Sequence, residues 1–261
     1  MRAGDVLLLV LLAATGLGLV VDGVTQGALG GFFSSHLTAI GRTVGTTLGW
    51  VGWALSPLAL LPLLAGLWGR FASLPAALER LLNTAARTID TVSVTVGDCA
   101  RWAALALVVI TAVIVVQRYV FGVSITGLQE SVIYLHSLLF LLSSAATLLN
   151  GGHVRVDILY AKLSARGKAW TDLAGIYLAL IPMSWLILET SRSYVGGAWR
   201  ILERSRESDG LPLVFLLKTA IPLFAILMIL QGLSMAARAA LTLSGRDAPA
   251  TGGDHAGDNE L

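Results

Sequence analysis

The chain has 261 residues, of which 56% are hydrophobic and 13% charged, and its formal net charge is +2. A soluble domain carries roughly a quarter of its residues as charges, so this composition excludes an ordinary soluble domain and points to an integral membrane protein with no call for a nucleic-acid partner. The single cysteine, Cys99, excludes an intrachain disulfide framework and leaves no thiolate metal site.

A helix needs about 20 apolar residues to cross a bilayer core. Six stretches come near that length: residues 6–21, 44–68, 102–119, 130–149, 170–188 and 211–236. The first is flanked by Asp5 and Asp22. Arg2 precedes it, but Asp5 comes early and no small-x-small cleavage site follows, so it is read as an uncleaved span. Pro57 and Pro62 predict a kink in the second span, Pro182 in the fifth and Pro222 in the sixth. Between the second and third spans the texture changes. Leu78, Leu81, Leu82, Ala85, Ile89, Val92 and Val96 recur at steps of three and four, while Glu79, Arg80, Asn83, Arg87 and Asp90 take the other side. That is an amphipathic helix with too many charges to span, expected in the interface plane. Lying on another helix's surface is the alternative. From residue 244 the chain is small, polar and poor in apolar residues, so a disordered tail is expected.

The expected fold is an all-α polytopic membrane bundle in four parts. Residues 1–75 form an extension with two transmembrane helices, and 76–98 the interfacial helix. Residues 99–243 hold four further spans, and 244–261 the tail.

The densest basic segment is "NGGHVRVDILYAKLSARGKAW", with Arg155, Lys162, Arg166 and Lys168 between two spans. Placing it in the cytoplasm puts 11 of the 18 Lys and Arg inside by alternation, and both termini with them. The bias is modest. Within this segment Arg155 and Asp157 can pair if the backbone is extended, with His153 donating to a nearby carbonyl. If the backbone is helical they diverge, and Asp157 favours the start of a helix at "DILYAKL".

No zinc-protease, nucleophile-elbow, phosphate-loop or paired-cysteine motif is present, so no enzyme is read here and no cofactor or metal is expected. Of the four histidines only His136 falls inside a span. That argues against a haem bundle, and His136 is read as a packing residue with one hydrogen bond. The middles of the spans are nearly free of charge. Arg118, Glu130, Glu189 and Lys218 sit near span ends, where long side chains can reach the headgroups. A carrier usually shows intramembrane acids or repeated broken helices. Their scarcity suggests a subunit. Ser143, Ser144, Ala145 and Ala146 end the fourth span with side chains small enough for close helix contact, within this chain or with a partner.

Four stretches together resemble the small membrane subunits, the DctQ-like or Q-type components, of tripartite ATP-independent periplasmic (TRAP) transporters. "GGHVRVDILYAKLSARGKAWTDL" resembles that family's hallmark segment. "VVQRYVFG" is similar to the end of its first span, "LQESVIYLHSLLFLLSSAATL" to its second, and "GLPLVFLLKTAIPLFAILMILQGL" to its last. The similarity runs over residues 76–241. One acid of the family's usual pair is missing before Glu130, and a glycine of that span is replaced by Ser143-Ser144. Residues 1–75 lie outside the family's four-helix plan. The resemblance implies a small permease subunit in the bacterial inner membrane, bracing the scaffold of a large, M-type membrane subunit. A periplasmic substrate-binding protein would deliver an organic acid, and a sodium gradient rather than ATP would drive its uptake. It further implies interface or orientation roles for Arg118, Glu130, His153, Arg155, Asp157, Lys218 and Gln231. The rival readings are a self-sufficient channel or carrier and a membrane anchor of a redox enzyme.

Overall fold

The computed structural model describes residues 2–69, 71, 73–153 and 160–246. Among these residues there is no strand. The helices are α1 (Ala3–Val24), α2 (Ala28–Leu55), α3 (Leu61–Trp68), α4 (Ala76–Val120), α5 (Thr126–Leu149), α6 (Ala165–Gly175), α7 (Ile181–Ile201) and α8 (Val214–Leu243). Five helical stretches are long and apolar enough to cross a membrane: Ala3–Val24, Ala76–Val120, Thr126–Leu149, Ala165–Ile201 and Val214–Leu243. The broken pair Ser35–Ala54 and Ser56–Trp68 makes a sixth if it counts as one span. The all-α polytopic bundle is therefore what the chain forms.

The prolines sit in different settings, and the break between α2 and α3 is where the chain bends. Pro57 sits in a 3-10 turn, Ser56–Leu60, that separates α2 from α3, and Pro62 falls in the first turn of α3. An N–H is dispensable at that position. Pro182 follows a π-helical turn, Ile176–Leu180, whose wider winding makes room for a residue that cannot donate to the preceding turn. Pro222 lies inside α8, which continues past it. The loops turn on glycines in the left-handed region, at Gly122 (φ 66°) between α4 and α5 and at Gly151 (φ 66°) after α5.

The amphipathic segment differs from its sequence reading in two respects. It is not a separate helix, because α4 runs unbroken from Ala76 to Val120 through residue 98. The face it buries within the chain is a different one from the large apolar stripe. Leu82, Ala86, Ser93, Gly97 and Ala100 are buried, whereas Leu81, Ala85 and Val92 are exposed. Helices in lipid gain little from burying large apolar side chains, since the solvent is itself apolar, and they associate through small residues that allow close approach. A reading based on large apolar residues therefore finds the outward stripe rather than the one that packs inside the chain. His136 is likewise exposed, with its ring 4.6 Å from that of Phe140, rather than a packed interior residue.

The chain divides into two compact units. The first comprises Met1–Trp53, Thr95–Leu142 and Thr190–Ile221. In it the start of α1 is clasped to α4. Arg2 pairs with Asp98 at 3.1 Å, and Arg101 reaches Asp5 at 2.6 Å and Asp98 at 3.2 Å. The Trp102 indole N–H donates to Asp5 at 3.0 Å. Gly4 makes this crossing possible. A Cβ there would lie 2.6 Å from the Thr95 carbonyl oxygen and 2.6 Å from the Cys99 backbone nitrogen, both parts of a helix that cannot yield. Gly4→Leu is expected to lift α1 off α4 and expose Cys99, which is only partly accessible in the native chain. A several-fold faster reaction of this sole cysteine with a maleimide in membranes checks it; an unchanged rate refutes the contact. Elsewhere in this unit Gly41 of α2 lies against the Trp199 ring, which is held by Phe215 (centroids 4.9 Å) and by a bond to the Thr219 hydroxyl (2.8 Å).

The second unit comprises Ala54–Val94, Ser143–Glu189 and Pro222–Leu261. One core cluster joins Ala65, Leu74, Leu82, Ala86, Ala237 and Leu241, and another joins Leu173 and Ile176 with Ala236, Ala239 and Leu243. Four of the six buried α8 residues in these clusters are alanines, as close helix packing demands. Ala65 and Leu74 belong to this core, and Leu63 packs against it. Gly66 faces Leu173 and Leu243, and the Tyr177 hydroxyl donates to the Ala59 carbonyl at 2.5 Å. The second part of the extension is thus built into the family-like helices. The predicted tail lies mostly at 247–261, outside the described residues.

Candidate functional site

Several polar side chains of the helices are gathered into clusters. The most buried one lies in the second unit, between α4 and α8. Gln231 and Ser234 are fully buried and Ser93 is 1% exposed. The Ser93 hydroxyl donates to Gln231 Oε1 at 2.7 Å, and Gln231 Nε2 donates to Asp90 Oδ1 at 3.2 Å. The Ser234 hydroxyl donates to the same carboxylate oxygen at 2.7 Å and accepts from Arg238 Nη1 at 2.9 Å. Arg238 closes the network as an ion pair with Asp90 Oδ2. Every buried polar atom named here has a partner, which in low dielectric makes a stiff connection. The spacing explains it. Gln231, Ser234 and Arg238 stand three and four apart on one stripe of α8, and Asp90 and Ser93 stand three apart on α4.

Sequence reading singled out Gln231 alone. The signal for the rest was present as polar residues at helical spacing. The partners, however, lie 138 to 148 residues apart, and that pairing becomes visible only when α4 and α8 are laid together.

In the first unit Glu130 holds the loop before α8. Its carboxylate accepts the Leu211 backbone N–H at 2.6 Å and the Ser205 hydroxyl. Gly210 lies close by, where a Cβ would come within 2.9 Å of Glu130 Oε1. Lys218, in the first turns of α8, pairs with Glu203 at 2.5 Å and sits 4.0 Å above the Tyr194 ring. Arg118 is exposed in the last turn of α4, where a cation suits the negative helix end.

His153 is in the second unit, exposed beyond the end of α5, with Nε2 3.4 Å from the Ser144 carbonyl oxygen. Arg155 and Asp157 lie outside the described residues. The structure therefore brings Gln231 into a network with four residues not anticipated, and joins Glu130 and Lys218 to the same loop. His153 and Arg118 stand apart from these.

A family model described as "Tripartite ATP-independent periplasmic transporters, DctQ component" matches residues 107–242. Neither the curated proteins nor the solved structures compared with the chain give a match.

Proposed function

Because the chain belongs to the DctQ family, the small membrane component of tripartite ATP-independent periplasmic transporters, we propose that it works as a static brace for the large membrane subunit. In this reading it holds the large subunit's scaffold while that subunit carries an organic acid inward with sodium. The acid is delivered by a periplasmic binding protein. The observation that carries the proposal is how the charges are used. Asp5 and Asp98 engage Arg2 and Arg101, Asp90 engages Arg238, Glu203 engages Lys218, and Glu130 ties down a loop. Charges spent on one another hold helices in fixed relation, which is what a brace requires and what a moving solute site does not.

The proposed location is the bacterial inner membrane with both termini in the cytoplasm. Contacts inside each unit support the alternation of loops on which that orientation rests. Arg2 meets Asp98, Asp5 meets Arg101, Glu79 meets Arg246 (3.4 Å), and Glu130 meets Ser205 and Leu211. Each of these pairs joins segments that alternation puts on one side. The large subunit is proposed to contact the chain near Arg118 and near His153, Arg155 and Asp157. Glu130, Lys218 and Gln231 act by fixing the helices behind those surfaces.

The test is co-purification from native membranes under gentle solubilisation, with a tag on this chain. A large polytopic protein at equal stoichiometry is expected. A chain that emerges alone, monodisperse and able to conduct solute in liposomes refutes the brace. Alanine at both Arg155 and Asp157 is expected to reduce assembly or uptake; if both persist, the assignment of those residues fails.

A further inference from the structure

Within the second unit a groove of about 660 Å³ lies beside the π-helical turn. Its lining is of two kinds. Leu148, Leu163, Ile176, Leu180 and Met235 make an apolar wall. His153, Tyr160, Thr171 and Asp172 line the other part. The π-helical turn supplies Ile176 and Leu180, and such turns recur at functional sites because they displace side chains from the regular spacing. Gly175 lines the groove as well, and a Cβ on it would meet no atom within 4 Å. That glycine faces empty space rather than a neighbour that requires its smallness.

The polar part carries a cationic rim. Lys168 Nζ stands 5.5 Å over the Tyr160 ring, and exposed Lys162 and Arg166 flank it on the same short segment. The acid there, Asp172, accepts the Tyr160 hydroxyl at 2.8 Å. Its charge is engaged at the groove wall, while Lys168 stands beside the lining Tyr160 and Lys162 and Arg166 are exposed on the same short segment. An apolar seat that opens on a basic edge between membrane helices complements a lipid with a negatively charged headgroup. We propose that this groove is a binding site for one anionic phospholipid, with an acyl chain along Leu163, Ile176, Leu180 and Met235 and the phosphate at Lys162, Arg166 and Lys168. A lipid seated there would fill the space beside Gly175.

The experiment places a photoreactive p-benzoylphenylalanine at Leu163 in the full chain. The protein is reconstituted in phosphatidylcholine bilayers containing a minority of phosphatidylglycerol, and adducts are weighed by mass spectrometry. A preference of at least about fivefold for phosphatidylglycerol, corrected for abundance, is expected, since a single cation favours an anionic surface by about that factor. Replacing all three cations by glutamine should abolish that preference while leaving total lipid adduct. Gly175→Leu should reduce adducts of both lipids by filling the seat. Equal labelling of the two lipids in the otherwise native chain overturns the proposal. So does a protein adduct in place of lipid when the same probe is irradiated in native membranes, since a partner chain then occupies the groove. Because these two readouts need no change to the rim or to Gly175, a variant that fails to fold does not leave the question open.

Discussion

Arg238→Ala is expected to lower the melting midpoint of the detergent-solubilised chain by about 10 °C. The reason is what it leaves behind. Asp90 loses its only guanidinium partner within the described network and keeps bonds from Ser234 and Gln231, so a charge stays in a mostly buried site without its counter-ion. The side chains of Arg238 and Asp90 are 11% and 16% exposed, which limits screening by solvent. Removing one partner of a buried pair costs on the order of 3 kcal/mol, and each kcal/mol is worth about 2–4 °C in a chain of this size. Removing both charges is a different case. Arg238→Met with Asp90→Leu leaves no ion behind, so most of the lost stability should return. Fluorescence-detected gel filtration after heating, run on both single variants and the pair, measures the coupling directly. If the double variant is as unstable as the sum of the singles, the two side chains act independently and the network is not a unit.

The same residues show where reading the sequence succeeds and where it stops. Each apolar stretch it marked out is helical, because a run of Leu, Val and Ala in lipid has no other way to satisfy its backbone. Extents were less legible. α2 begins at Ala28, well before residue 44, since Gly30, Gly31, Ser34, Ser35, His36 and Arg42 lower the hydropathy of a segment that is helical nonetheless. α4 passes through residue 98 because a change in charge pattern marks a change of surroundings and not of backbone, and Gly97 alone does not break a helix. Resemblance drew attention to Glu130, Lys218 and Gln231, but it could not supply Asp90, Ser93, Ser234 and Arg238. These are ordinary polar residues until the two helices meet.

Glu130→Ala is expected to free the loop between α7 and α8 and make it at least tenfold more sensitive to trypsin. The loop contains the exposed residues Arg204 and Arg206, and Glu130 is what fastens it from across 75 to 81 residues of sequence. Its two bonds are charge-assisted, worth about 1.5–3 kcal/mol each when a partner is left unsatisfied. Leu202 stands at φ 47° at the head of the loop, a conformation that a leucine holds only when its surroundings enforce it. Loss of the Glu130 carboxylate removes part of that enforcement. Where opening is fast relative to cleavage, the digestion rate follows the open population, so even 1.5 kcal/mol gives about a tenfold effect. Glu130→Gln keeps an amide oxygen able to accept one of the two bonds and should fall between. The sidedness of cutting tests the proposed orientation at the same time. With both termini in the cytoplasm this loop is periplasmic, so trypsin should cut it in right-side-out vesicles and spare it in inverted ones. Cutting of the alanine variant only in inverted vesicles would keep the Glu130 latch and reverse the topology. Wild-type and alanine chains digested at equal rates from the accessible side would remove the latch and leave the topology standing.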